Sequence, residues 1–200
     1  MTMASPTKIV VNLKSRYAEP HRTYHNWHHI EALLRWMDSG EFSLHDQDAV
    51  RWAILFHDAI YDPMSKENEE RSAQLAEVEL ASSIDAEKIA LVVAMIRATA
   101  VHKIVPGLEP AAEADLAHFL DMDLSILGAE PTVFDLYEQN IRAEYAQFPD
   151  DLFWPGRMAV LKRFLDRDRL YFSDWGFKRF EAKARSNLHR SIEAIAQKLI

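Results

Sequence analysis

The chain has 200 residues, 48% of them apolar, which is enough for one sizeable core and a length within the range of a single domain. Its 31 acidic against 23 basic residues give a formal charge of −8, a field that repels polyanions and argues against a nucleic-acid polymer as partner. The absence of cysteine excludes a disulfide framework, a thiolate nucleophile and a Cys-based zinc site.

A small phosphorylated ligand remains compatible with this charge, because a bound cation and a few local Arg or Lys side chains outweigh the global field. Residues Met1 to Val11 lack the long apolar region of a secretory signal, and nothing later approaches the ~18 uninterrupted apolar residues needed to span a bilayer. The expectation is a cytoplasmic protein with no membrane partner.

Only five glycines occur, and apolar residues recur at three- and four-residue intervals almost throughout. That periodicity predicts an all-α, single-domain helical bundle over residues 1–200. Pro20 and Thr23 precede a helix from about Tyr24 to Met37, whose stripe is Trp27, Ile30, Leu33, Leu34 and Met37, with Gly40 as a stop. Ser43 to Asp46 resembles a capping box with Asp at its last position, and predicts a helix running to about Ile60 before Pro63. Asn68, followed by Glu69 and Glu70 at the positive end of a helix dipole, starts the next.

Asp85 caps a long apolar helix from Ala86 to about Ala100, ahead of a breaking loop at Val105 to Pro110. Glu113 to about Leu127 reads as one or two shorter helices ending at Gly128. Pro131 to Phe148, Pro155 to about Arg167 and Ser173 to the C-terminus supply three more. Trp154, Phe164, Tyr171, Phe172, Trp175, Phe177 and Phe180 are assigned to the core, and the mixed-charge run Arg163 to Arg169 to a solvated helix face.

Chemistry concentrates at His57-Asp58, inside the apolar run Trp52 to Tyr61. Desolvating an unpartnered carboxylate is expensive, so a cation or a strong hydrogen-bond partner is expected beside it. Upstream lies Tyr24-His-Asn-Trp-His-His-Ile30, and downstream Leu120-Asp-Met-Asp-Leu124. Two imidazoles and two carboxylates with no thiolate make a hard-to-borderline donor set, suited to Mn, Fe, Ni, Co, Zn or Mg.

In the first segment His29 shares a helical face with His25, whereas His28 is rotated by about 100°. His29 is therefore the candidate ligand, His25 a group beside the site, and His28 a surface residue. A zincin would need Glu directly after the first histidine, and Asn26 stands there. Asp121 and Asp123 cannot both face one ion, because residues two apart diverge on a helix.

A first His, then a His-Asp pair, then a distant Asp: in this order the chain resembles the HD superfamily of metal-dependent phosphohydrolases. Tyr24-His25, Asn68-Glu69 and the tail Arg185 to Leu188 resemble an uncharacterised bacterial branch of it, and the resemblance covers nearly the whole chain. It implies an HD-type helical fold and a divalent metal ion held by His29, His57, Asp58 and Asp123. Relatives place an aliphatic residue after the first histidine, as Ile30 follows His29, and end an Asp-x-Asp unit with the ligand, which selects Asp123 over Asp121.

The implied activity is hydrolysis of a small phosphomonoester or phosphodiester, nucleotides among them, by a metal-activated water. Arg22, His25 and Lys66 are the candidate substrate-binding residues. Asp62, reckoned to share a face with Asp58, is a candidate proton donor, with Asp58 and His102 as further catalytic candidates. Many relatives carry Glu three residues after the Asp of the pair, where this chain has Tyr61, so the acid or base departs from the pattern. Two-metal members use further histidines in the interval that here holds His102 and His118. Two other readings follow: a non-catalytic regulatory module that binds metal and ligand, and a di-iron oxygenase drawing on His102 and His118.

Overall fold

The computed structural model describes residues 6–199, and among them the chain forms α-helices and no strand. The all-α expectation holds. The helices are α1 (Pro6–Arg16), α2 (Trp27–Met37), α3 (Gln47–Phe56), α4 (Asn68–Leu80), α5 (Ala86–Thr99), α6 (Pro110–Asp123), α7 (Pro131–Glu144), α8 (Asp150–Leu165) and α9 (Asp174–Lys198), with a 3-10 turn at Leu124–Gly128. Among the described residues no helix is long and apolar enough to cross a membrane.

Contacts cluster into two units, Met1–Leu120 and Asp121–Ile200, so the boundary falls within the last turn of the continuous helix α6. In the first unit α3 is central. It packs against α1, α2, α4 and α5, and Ala49, Val50, Ala53, Ile54, Leu55 and Phe56 are all buried. α1, in a stretch for which the periodicity assigned no element, buries Ile9 and Leu13, one turn apart, and is followed by the buried Tyr17. In the second unit α9 packs on the 3-10 turn and on α8, burying Phe180, Ala184, Leu188 and Ile195.

Caps set the helix starts. Asn26 accepts from His28 N at 2.9 Å, so α2 begins at Trp27 rather than Tyr24. Asp46 accepts from Ala49 N, which starts α3 at Gln47 rather than at Ser43. The buried Asp115 of α6 secures the preceding turn by accepting from His45 N at 2.8 Å and Asp46 N at 2.7 Å. Asp85 caps α5 as the sequence indicates. Asn68 does not cap α4; its side-chain amide bridges to both backbone groups of Asp62.

α8 begins at Asp150 and contains Pro155, which the sequence reading had placed at the start. A proline there forfeits one backbone bond to the first turn, and the helix carries that loss. Of the aromatics assigned to the core, Tyr171 and Phe180 are buried, whereas Phe177 is exposed with the Arg169 guanidinium over its ring at 4.3 Å.

The helix that leads to the His-Asp pair is shorter than the periodicity predicts: α3 stops at Phe56. The backbone donors that would extend it go elsewhere. Ile60 N donates to Ser72 Oγ at 3.0 Å, Asp62 N donates to Asn68 Oδ1 at 3.0 Å, and Pro63 has no N–H to give. His57 and Asp58 therefore stand just past a helix C-terminus, in a turn closed by Ala59 N to Phe56 O, and not inside a helix.

Candidate metal centre

The pair's turn directs both side chains to one point. His57 is 1% exposed, and its Nδ1 lies 2.9 Å from the Ile54 carbonyl. A carbonyl oxygen only accepts, so Nδ1 carries a hydrogen, and Nε2 is the atom that either takes up a second proton or offers its lone pair to a cation. Facing Nε2 are Nε2 of His29 at 3.2 Å and Oδ2 of Asp58 at 3.1 Å, while His29 Nε2 and Asp58 Oδ2 are 3.7 Å apart. Two ring nitrogens and a carboxylate this close call for a positive charge among them, an imidazole proton or a metal cation.

Asp123, the fourth ligand that the resemblance implies, ends α6. Nitrogen and oxygen ligands about 2.0–2.2 Å from one ion sit roughly 3–4.4 Å from each other. The separations among His29, His57 and Asp58 match that range, so the donor set fits a divalent cation. The two histidines are buried and Asp123 half-buried. These residues could hold a metal ion; the donors are too generic to name which one.

Burial alone would push the Asp58 carboxyl up, but the neighbouring His57 outweighs it, helped by His25 and His29, and Asp58 is held well below the usual carboxylate range. Asp58 thus stays ionised in a site where its charge has partners.

His29 sits in the first turn of α2, with the Tyr24 ring 5.0 Å and the His25 ring 6.1 Å from its own. His25 precedes α2, so the shared helical face argued from spacing does not exist, yet the loop brings the two rings together all the same. Tyr61, where the relatives' glutamate would stand, stacks on His25 at 4.3 Å and lies parallel to His21 at 6.2 Å. Spacing alone offered no signal for this ring stack.

The other candidate residues sit in surroundings of their own. Arg22 is not available for phosphate: its side chain is fully buried and donates to Glu19, His25 O, Asp58 O and Ala59 O. Asp62 loses its place on the face of Asp58 because α3 ends before it; it is exposed and accepts from Met64 N. Lys66 is likewise exposed in that loop. His102 follows α5 in a turn with φ of 46°. His118 lies flat on Phe42 at 4.3 Å, and burial lowers its pKa. His28 is 90% exposed at its side chain.

Asp121, the alternative to Asp123, is fully buried in a different role. It accepts from Phe172 N, Ser173 N and Ser173 Oγ and so anchors the start of α9. No family model, curated protein or solved structure matches the chain.

Proposed function

We propose that the chain is a metal-dependent phosphohydrolase of the HD type, acting on a small phosphomonoester or phosphodiester, with nucleotides the first class to test. The observation that supports this reading is the convergence of the His29, His57 and Asp58 ligand atoms, to which the resemblance adds Asp123. A divalent ion held there supplies a bound water whose pKa falls from ~15.7 towards about 7 in favourable sites. The chain's own part is to fix the donors. The Ile54 carbonyl sets the His57 tautomer, the Tyr24 ring packs on His29, and the half-buried His25, its ring 6.1 Å from that of His29, is the side chain proposed to hydrogen-bond a substrate oxygen.

A second reading, a regulatory module that binds metal and ligand without turnover, is favoured by one observation. The arginine nearest the site spends its guanidinium on carbonyl groups, so neutralisation of a phosphoryl group would rest on the ion and His25. Phosphatase assays on a nucleotide panel, with and without added Mn, Ni, Co or Mg, separate the two. Metal-dependent phosphate release is expected. Thermal stabilisation by nucleotide and metal with no release at any metal would favour the regulatory module instead.

A further inference from the structure

Arg22 lies outside the donor set but is bound to the turn that carries half of it. Its Nη1 donates to the carbonyl of Asp58 at 2.6 Å and to that of His25 at 3.1 Å; its Nη2 donates to Ala59 O at 3.2 Å; its Nε donates to Glu19 Oε2 at 2.9 Å. Four of the five N–H donors of a guanidinium are thereby used, in a side chain with no exposed surface. The Tyr17 and Tyr61 rings flank the cation at 5.2 and 5.4 Å. Two of the three carbonyls it takes, those of Asp58 and Ala59, are ones that a helix ending at Phe56 leaves without helical donors, since the Asp62 amide goes to Asn68 and Pro63 has none.

We propose that Arg22 is a positioning residue for the metal centre: one buried guanidinium ties the Asp58 turn to the His25 loop and so presets the geometry of Asp58, His57 and His29. This rests on the metal reading above. The planar fork is essential to it. Two of the carbonyls are met by Nη1 and the third by Nη2, with Nε on Glu19, so the bonds start from three separate nitrogens of one rigid fork, where a lysine ammonium has a single nitrogen. Groups that orient metal ligands typically change metal affinity by about 10- to 100-fold when removed. The role differs from the phosphate contact that an arginine near a phosphohydrolase site invites, and it makes the arginine matter before any substrate arrives.

The test is titration of the full chain with Co(II), following heat by calorimetry and geometry by the visible absorption of the bound ion. In Arg22→Lys the expected result is an affinity lowered about 10- to 100-fold, with an altered Co(II) spectrum and an unchanged far-ultraviolet helix signal. A folded Arg22→Lys with wild-type affinity and spectrum overturns the inference while leaving the metal site intact. Wild type that fails to bind Co(II) overturns the metal reading itself, so the two failures are distinct. Should Arg22→Lys not fold, Glu19→Ala serves in its place: it keeps the guanidinium but frees Nε, and a several-fold weakening is expected. Unchanged affinity and spectrum in a folded Glu19→Ala would then count against the proposal.

Discussion

At the scale of single residues, His57 has the most constrained part. Its Nδ1–H is committed to Ile54 and its Nε2 faces His29 and Asp58, so the ring is held at both ends. His57→Ala removes a ligand and leaves the ionised Asp58 without its strongest partner. A loss of metal affinity of at least a hundredfold is expected, read by calorimetric titration; a loss of under threefold would deny His57 a place in the site. Asp121 gives the pH dependence. Burial pushes its carboxyl up to about 6, against the lowering effect of its bonds to Ser173 and Phe172. With the folded value above the unfolded one, the stabilising contribution is fully present below about pH 4 and is lost as pH rises through 6, by up to about 3 kcal/mol. Asp121→Asn lacks this titration. The stability of wild type relative to that variant should therefore fall between pH 4 and 7, measured by denaturant melts; a constant difference would show that Asp121 titrates normally.

The residue types of the site were legible because an imidazole and a carboxylate inside an apolar run demand a reason. What Arg22 does was not. Its partners are carbonyl groups, which every residue has, and no side-chain pattern records which of them a turn leaves open.

At the scale of elements, the local cap is legible at Asp85, while the caps Asn26 and Asp46 lie inside the helices that the sequence reading starts at about Tyr24 and at Ser43. The reading also fails where a distant group decides. α3 ends four residues before Ile60 because Ser72 and Asn68, both on α4, take the amides that would prolong it. The apolar periodicity continues past that point, so nothing in the run itself marks the stop. In the second unit, Gly128 shows another long-range constraint. A Cβ there would lie 2.6 Å from Phe180 Cβ and 2.9 Å from its Cα, so the 3-10 turn approaches α9 closer than any side chain allows. Gly128→Ala should cost about 1–3 kcal/mol, the range of an overpacked core, seen as a lower denaturation midpoint. A midpoint equal to wild type would mean that the turn shifts freely.

At the scale of the whole molecule, metal binding and stability are linked. An ion that binds only the folded chain stabilises it by about 2.7 kcal/mol at a hundred times its Kd. For a chain of this length each kcal/mol moves Tm by roughly 2–4 °C, so metal should raise Tm by about 5–10 °C and a chelator should reverse the shift. No change with any of Mn, Ni, Co, Zn or Mg, scanned by calorimetry, would speak against a site in the folded core. The acidic net charge works in the same direction at long range, drawing cations towards the protein.

The most direct measurement is elemental analysis of the purified protein beside its His57→Ala variant. The account expects close to one equivalent of a divalent transition metal or magnesium in wild type and little in the variant. Wild type that holds no metal after incubation with each candidate ion, or a variant that retains the full content, would contradict it.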